Sequence, residues 1–236
     1  MNRSREPYPT PAMRAMRILA GFDLRRRTAN VAVEGADNVP RAGAALIVAR
    51  HYHHLLDGEL LLDRFPRPIH IVVALDWAAG ETQRRRMETA CRWAQWPVIL
   101  RPGSLAASAS YTKSELLRYL RTGIRHAATL LAAGRVVAIF PEGYPAVDAP
   151  GRTGQSIAGP STPRDAAGFL RFAEGFRTIV AEAHRLGSGP IPIVPLGFSY
   201  ERTGTRWHVT MRIGRRHADT ATTERIEEEV RRLSRP

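Results

Sequence analysis

Short apolar runs alternate with segments of helical period along most of this chain. Val31–Val33, Ala45–Ala49, Ile69–Leu75, Pro97–Leu100, Val136–Phe140, Ile191–Phe198 and Trp207–Ile213 read as strands, the last two joined by a turn around Thr203-Gly204. Between them, apolar residues recur at helical spacing. Leu56, Leu60 and Leu61 mark a helix over 55–64, and Met87, Ala90, Cys91 and Ala94 one over Glu81–Gln95. Leu117, Leu120, Ile124, Ala128 and Leu131 mark another over 113–133, closed by Gly134. Phe169, Phe172, Phe176, Ile179, Val180 and Ala183 place a helix over 166–186, and Glu224–Leu233 forms a charged terminal one. This alternation predicts an α/β protein, a single-domain αβ sandwich around a mixed, largely parallel sheet.

A chain of 236 residues accommodates one such domain with a full core. Hydrophobic residues make up 44% and charged residues 24%, a globular rather than a disordered balance. No apolar run reaches the ~18 residues of a membrane-spanning helix. The N-terminus lacks an apolar stretch before a small-residue cleavage site and reads as carrying no signal peptide. Cys91 is the only cysteine, which excludes an internal disulfide and is compatible with a reducing cytoplasm. The formal charge of +13 comes almost wholly from arginine, Lys113 being the exception. Such a charge attracts nucleic acid, anionic lipid or an acidic protein. Residues 10–27 fit an amphipathic helix with Met13, Met16, Ile18, Leu19 and Phe22 on one side and Arg25-Arg26-Arg27 at its end. A helix of this kind either lies in a bilayer interface or packs on the domain.

Two clusters carry chemistry. Arg50-His51-Tyr52-His53-His54-Leu55-Leu56-Asp57-Gly58 sets imidazoles near a carboxylate, the pairing of a general base with the acid that orients it. His53 and Asp57 stand four apart, and His51 ends the preceding strand, so either ring could meet Asp57. His54 faces away or helps cap the helix. Histidines with an aspartate can also hold a metal, but no HExxH-type pattern is present. A polar helix start with incidental histidines is the blander reading. Phe140-Pro141-Glu142-Gly143-Tyr144-Pro145 ends a strand, at the sheet edge where α/β proteins bind ligands. Its blander reading is a tight turn. Arg101, after its own short strand, could hold a phosphate bidentately or be a solvated arginine. Ile191-Pro192-Ile193-Val194-Pro195-Leu196 carries two prolines in an apolar run, which suits an edge strand or a specially shaped wall of a site. Residues 146–165 form a long polar loop beside the second cluster.

In this order the four segments resemble the glycerolipid acyltransferase family that includes 1-acylglycerol-3-phosphate acyltransferases. That family carries NHxSxxD, then an arginine after a short strand, then FPEGTR, then a block like VPIVPV. The matching stretches are Arg50–Asp57, Arg101, Phe140–Pro145 and Ile191–Leu196, within residues 30–215. Two departures stand out. The family leaves four residues between its histidine and aspartate, whereas His51 leaves five and His53 leaves three. Aligning the strand before the block favours His51, with His53 as the alternate. Tyr144-Pro145 replaces Thr-Arg and removes a cation, for which Arg101 or Arg152 could compensate.

The resemblance implies an O-acyltransferase of phospholipid synthesis. His51, oriented by Asp57, would take a proton from an acceptor hydroxyl attacking an acyl thioester of coenzyme A or acyl carrier protein. Arg101, Phe140, Pro141, Glu142 and Gly143 would form the acceptor side, with no metal and no cofactor beyond the acyl donor. The acceptor would be a lysophospholipid or glycerol phosphate. The expected partner surface is an anionic membrane, not nucleic acid, with the enzyme peripheral to its cytoplasmic face. Residues 1–28 would form an N-terminal amphipathic segment and 29–236 the acyltransferase domain. Two other classes compete: a thioesterase using water as acceptor, and a non-catalytic binder of anionic membranes.

Overall fold

The structure, a computed structural model, describes residues 10–76, 78, 81–101, 111–146 and 164–235. Arg152, residues 1–9 and most of the loop after Phe140–Pro145 lie outside the described residues. The first half of the chain forms α1 (Pro11–Arg27), β1 (Thr28–Glu34), β2 (Ala45–Ala49), α2 (Leu56–Arg64), β3 (Ile69–Ile71), β4 (Val73–Ala74), α3 (Glu81–Trp93) and β5 (Val98–Ile99). The second half forms α4 (Lys113–Ala132), β6 (Val136–Ile139), α5 (Gly175–Arg185), β7 (Ile193–Thr203), β8 (Arg206–Ile213) and α6 (Thr223–Leu233).

The principal sheet has the order β1-β8-β7-β2-β6-β3. Its only antiparallel pair among the described residues is the β7–β8 hairpin; the other neighbours run parallel. This is the mixed, largely parallel sheet that the alternation predicts. Every residue of β2 is buried, because helices cover both faces. Ala45, Ile47, Ala49, Val194, Leu196 and Phe198 pack toward Leu24 of α1 and Leu56, Leu60 and Leu61 of α2. Leu46, Val48, Val137 and Ile193 pack the opposite way, against Leu131 of α4, Phe176 and Ile179 of α5 and Ile226 and Val230 of α6. A one-residue offset along β2 thus selects the layer. The parallel pair β4–β5 forms a small second sheet beside a minor core of Leu75, Leu100 and Leu116.

Helix ends follow local chemistry. Thr112 and Glu115 close a reciprocal capping box on α4, and Thr10 Oγ1 accepts the Met13 N–H at 3.1 Å ahead of Pro11. The strand expected over Ile69–Leu75 is broken at Val72: β3 pairs with β6, and β4 turns to β5. The helix expected over 166–186 starts only at Gly175. Phe169 and Phe172 have helical spacing but lie in chain without regular secondary structure, and Phe172 still joins the core. The proline-bearing strand is not an edge strand, since β7 lies between β2 and β8. Pro195 is accommodated because its nitrogen faces β8 where the register slips by one residue, between Ile193↔His217 and Leu196↔Ile213. Its carbonyl accepts from Gly214 N–H at 2.8 Å.

Helix α1 divides the apolar face that periodicity assigned to it. Met13, Ala20 and Leu24 are buried, whereas Ile18, Leu19 and Phe22 are exposed. No helix among the described residues is long and apolar enough to cross a membrane.

Helix α6 lies directly on β7 at Gly197. A Cβ added there would stand 2.6 Å from the Ser234 nitrogen and press on the Leu233 backbone. Gly197→Ala is therefore expected to destabilise the fold by about 1–3 kcal/mol, read as a lower midpoint in urea unfolding.

Candidate active site

The chain leaves the sheet after β2 at its carboxyl edge, where the Arg50 N–H still reaches the Leu196 carbonyl at 3.3 Å. The loop that follows wraps around one carboxylate. Asp57, in the first turn of α2, is fully buried. Its Oδ2 meets His51 Nδ1 at 2.9 Å, the Tyr52 N–H at 2.7 Å and the His53 N–H at 3.0 Å. Its Oδ1 accepts the Tyr200 hydroxyl. A carboxylate only accepts, so Nδ1 of His51 is the donor, and in the neutral ring Nε2 keeps its lone pair. Nε2 makes no hydrogen bond among the described residues. The ring stacks on Phe140 with centroids 4.5 Å apart, and its side chain retains 18% exposure while Asp57 has none.

His53 takes a different place. Its Nδ1 accepts the N–H groups of Leu55 and Leu56, both at 3.3 Å, and so caps the start of α2. Burial, reinforced by the stacked His54 ring 4.7 Å away, lowers its pKa to about 4. Its backbone meets Asp57, with the N–H on the carboxylate and the carbonyl accepting the Asp57 N–H at 3.4 Å, but its ring does not. The expectation that the His53 ring could pair with Asp57 is therefore corrected: tight wrapping of the loop presents the backbone to the carboxylate and turns the ring to the helix.

Tyr200 has no counterpart in the sequence expectations. It stands 143 positions from Asp57, on the part of β7 beyond the β2 pairing. Its ring stacks on Tyr52 at 4.7 Å and meets Trp207 edge-on at 5.8 Å. Burial, then the Asp57 charge, push its hydroxyl well above the usual phenol range, so it remains a donor. Only the aromatic residue itself, on a strand facing the first cluster, could have signalled it.

Phe140-Pro141-Glu142-Gly143 turns sharply after β6, with the Gly143 N–H on the Phe140 carbonyl at 2.9 Å. Gly143 has φ +73, which glycine adopts without strain. The Ala146 N–H holds the His51 carbonyl at 3.0 Å, and the Ala173 N–H holds that of Pro141 at 3.1 Å, tying the turn to the histidine loop and to the approach to α5. Glu142 is 5% exposed, and neither carboxyl oxygen has a hydrogen-bond partner among the described residues. Burial raises its pKa to about 7 against the pull of Arg50 and Arg164.

Arg101 does not present its bidentate edge to solvent. Its Nε and Nη2 grip the buried Asp76 at 2.6–3.0 Å, Nη1 donates to the Gly143 carbonyl, and the guanidinium lies 3.8 Å from the Tyr144 ring centroid. The expectation of a bidentate phosphate ligand at Arg101 is corrected, because Asp76 takes that edge. Arg50 is buried over the Phe169 ring, 3.8 Å from its centroid, with Nη2 on the Gly168 carbonyl at 3.2 Å. Arg164 donates to the carbonyls of Gly168, Tyr144 and Pro145 at 3.0, 3.0 and 2.7 Å. No group of three or more His, Cys, Asp or Glu among the described residues converges as a metal site.

A histidine–aspartate pair and a Pro-Glu-Gly turn thus meet at the carboxyl edge of one sheet. Residues 30–199 match the family model described as Acyltransferase, and the chain belongs to that family. Its fold is similar to that of the 1-acyl-sn-glycerophosphate (LPA) acyltransferase PlsC from Thermotoga maritima. The TM-score is 0.58 at 16% identity, covering 93% of this chain and 77% of that one. No curated protein matches by sequence.

The His53 cap titrates. Its folded pKa of about 4 lies below the ordinary 6.5, so its stabilisation is complete above pH 6.5 and is lost as pH falls through 4. Buried His70, also lowered to about 4, contributes a fall in the same window. His53→Gln should be about 1 kcal/mol less stable than wild type at pH 7.5, with the gap closing by pH 4, as read by denaturant unfolding.

Proposed function

We propose that this chain moves an acyl group from an acyl thioester, acyl-CoA or acyl carrier protein, to a hydroxyl of a lysophospholipid or glycerol phosphate. His51 is the general base and Asp57 its orienting acid. The observation that carries this reading is the 2.9 Å contact between His51 Nδ1 and buried Asp57, with Nε2 unbonded among the described residues, in a member of the acyltransferase family.

Nε2 takes the hydroxyl proton as the acceptor oxygen attacks the thioester carbonyl. The C–S bond breaks, an ester C–O bond forms, and the imidazolium returns the proton to the departing thiolate. Asp57 fixes the tautomer and stabilises the imidazolium, while Phe140 sets the ring plane. Glu142 and Gly143 form the acceptor side. The acceptor class is supported by the name of the Thermotoga maritima protein of similar fold. The net charge of +13 suits the phosphates of coenzyme A or an acidic carrier. Exposed Ile18, Leu19 and Phe22 on α1, with exposed Arg14, Arg25 and Arg26 around them, suit shallow docking on the anionic cytoplasmic face of a membrane.

Mass-spectrometric product profiles from lysolipid and acyl-CoA or acyl carrier protein test the reading. His51→Ala and Asp57→Asn should lose a factor of ~10²–10⁴ in kcat. His53→Ala should lose far less. Wild-type turnover in His51→Ala, or free fatty acid as the sole product, would sink the assignment.

A further inference from the structure

The turn after β6 lacks the arginine that the family motif places two residues past its glycine. Pro145 occupies that position and carries neither charge nor N–H. A guanidinium nevertheless lies on this turn, delivered from farther along the chain. Arg164 Nη2 bonds the carbonyls of both Tyr144 and Pro145, and its Nη1 stands 3.8 Å from the fully buried Glu142 carboxyl.

The cation rests on a built support. Asp165 Oδ1 accepts the N–H groups of Ala167 and Phe169 at 3.0 and 2.9 Å, and the Gly168 N–H closes on the Asp165 carbonyl at 2.9 Å. That turn aims the Gly168 carbonyl at two guanidiniums, Arg164 at 3.0 Å and Arg50 at 3.2 Å. The charged groups facing Glu142 are therefore Arg50, from the end of β2, and Arg164. The backbones of Leu170 and His51 approach it as well, outside hydrogen-bond geometry.

We propose that Arg164 is a positioning residue that replaces in space the cation missing from the motif, holding the Phe140–Pro145 turn and setting a positive charge against the Glu142 carboxyl. This rests on the acyl-transfer reading. An ionised Glu142 accepts a hydrogen bond from the acceptor, and a protonated one does not offer the same charge. Removing a cation a few ångströms from a buried carboxyl favours its protonated form.

The test compares wild type, Arg164→Lys, Arg164→Gln, Glu142→Gln and the Arg164→Gln/Glu142→Gln double variant. The first readout is the pH profile of kcat/KM for acyl transfer. Arg164→Gln should move the acid limb up by ~1 pH unit, and Arg164→Lys should leave it in place. In Glu142→Gln, the acid limb that remains should not move when Arg164→Gln is added. The second readout is melting temperature against pH, which needs no activity. Glu142 has a folded pKa of about 7, above the ordinary 4.5, so its protonated-state stabilisation is present below 4.5 and lost as pH rises through 7. Glu59, raised to about 8, adds a similar fall, which Glu142→Gln leaves behind as background. Arg164→Gln should extend the Glu142 part to higher pH. A uniform rate loss at every pH that persists in the double variant, with an unmoved melting profile, would overturn the proposal. Wild-type protein without acyl transfer would overturn the functional reading, and the melting profile would still decide whether Arg164 governs Glu142.

Discussion

The carboxylate of Asp57 organises the site. A buried charge is costly unless hydrogen bonds replace its water. Here His51, Tyr52, His53 and Tyr200 supply them from two loop amides, one imidazole and one phenol. These donors come from separate parts of the chain, so satisfying one anion aligns the end of β2, the first turn of α2 and the outer part of β7. The direction of the His51 ring follows from this. So does the capping position of His53, whose backbone is drawn toward Asp57 while its ring turns to the helix.

The arginines of the site act first on the protein itself. Arg101 is joined to Asp76 and the Gly143 carbonyl, Arg164 to three carbonyls, and Arg50 to a glycine carbonyl between aromatic rings. A guanidinium suits this work because its planar donors can span several acceptors at once. Burial of Arg50 lowers its pKa, chiefly by desolvation, while Glu142 opposes that shift. The cationic lining is thus a scaffold for the Pro-Glu-Gly turn. The net charge alone could not distinguish this role from a solvated surface.

The layered architecture was legible because central parallel strands read as unbroken apolar runs. Ala45–Ala49 and Val136–Ile139 fall where the pattern placed them. The pattern failed where spacing outlived the helix. Phe169 and Phe172 are buried from irregular chain, which the Asp165–Phe169 turn leads into without helical backbone. In the site, His51, Asp57 and Glu142 could be singled out because each lies at the end of a strand or the start of a helix. The choice between His51 and His53 was open in one dimension, since both bracket the family spacing, and needed the path of the loop. Tyr200, Asp76 and Arg164 were invisible for another reason. Each meets its partner across a sequence gap that no local period records: 143 positions for Tyr200 and Asp57, 25 for Arg101 and Asp76, and 19 for Arg164 and Pro145.

The reach from Asp57 to Tyr200 also bears on how the protein is made. During synthesis the histidine loop emerges first, and the phenol that completes the aspartate's hydrogen bonds follows 143 positions later, in the β7–β8 hairpin. Until β7 has cleared the ribosome and paired with β2, one oxygen of that acid lacks its protein donor. A nascent or truncated chain ending before residue 200 would therefore hold the imidazole and the acid without the completed constellation, so the full set of donors waits on the synthesis of β7.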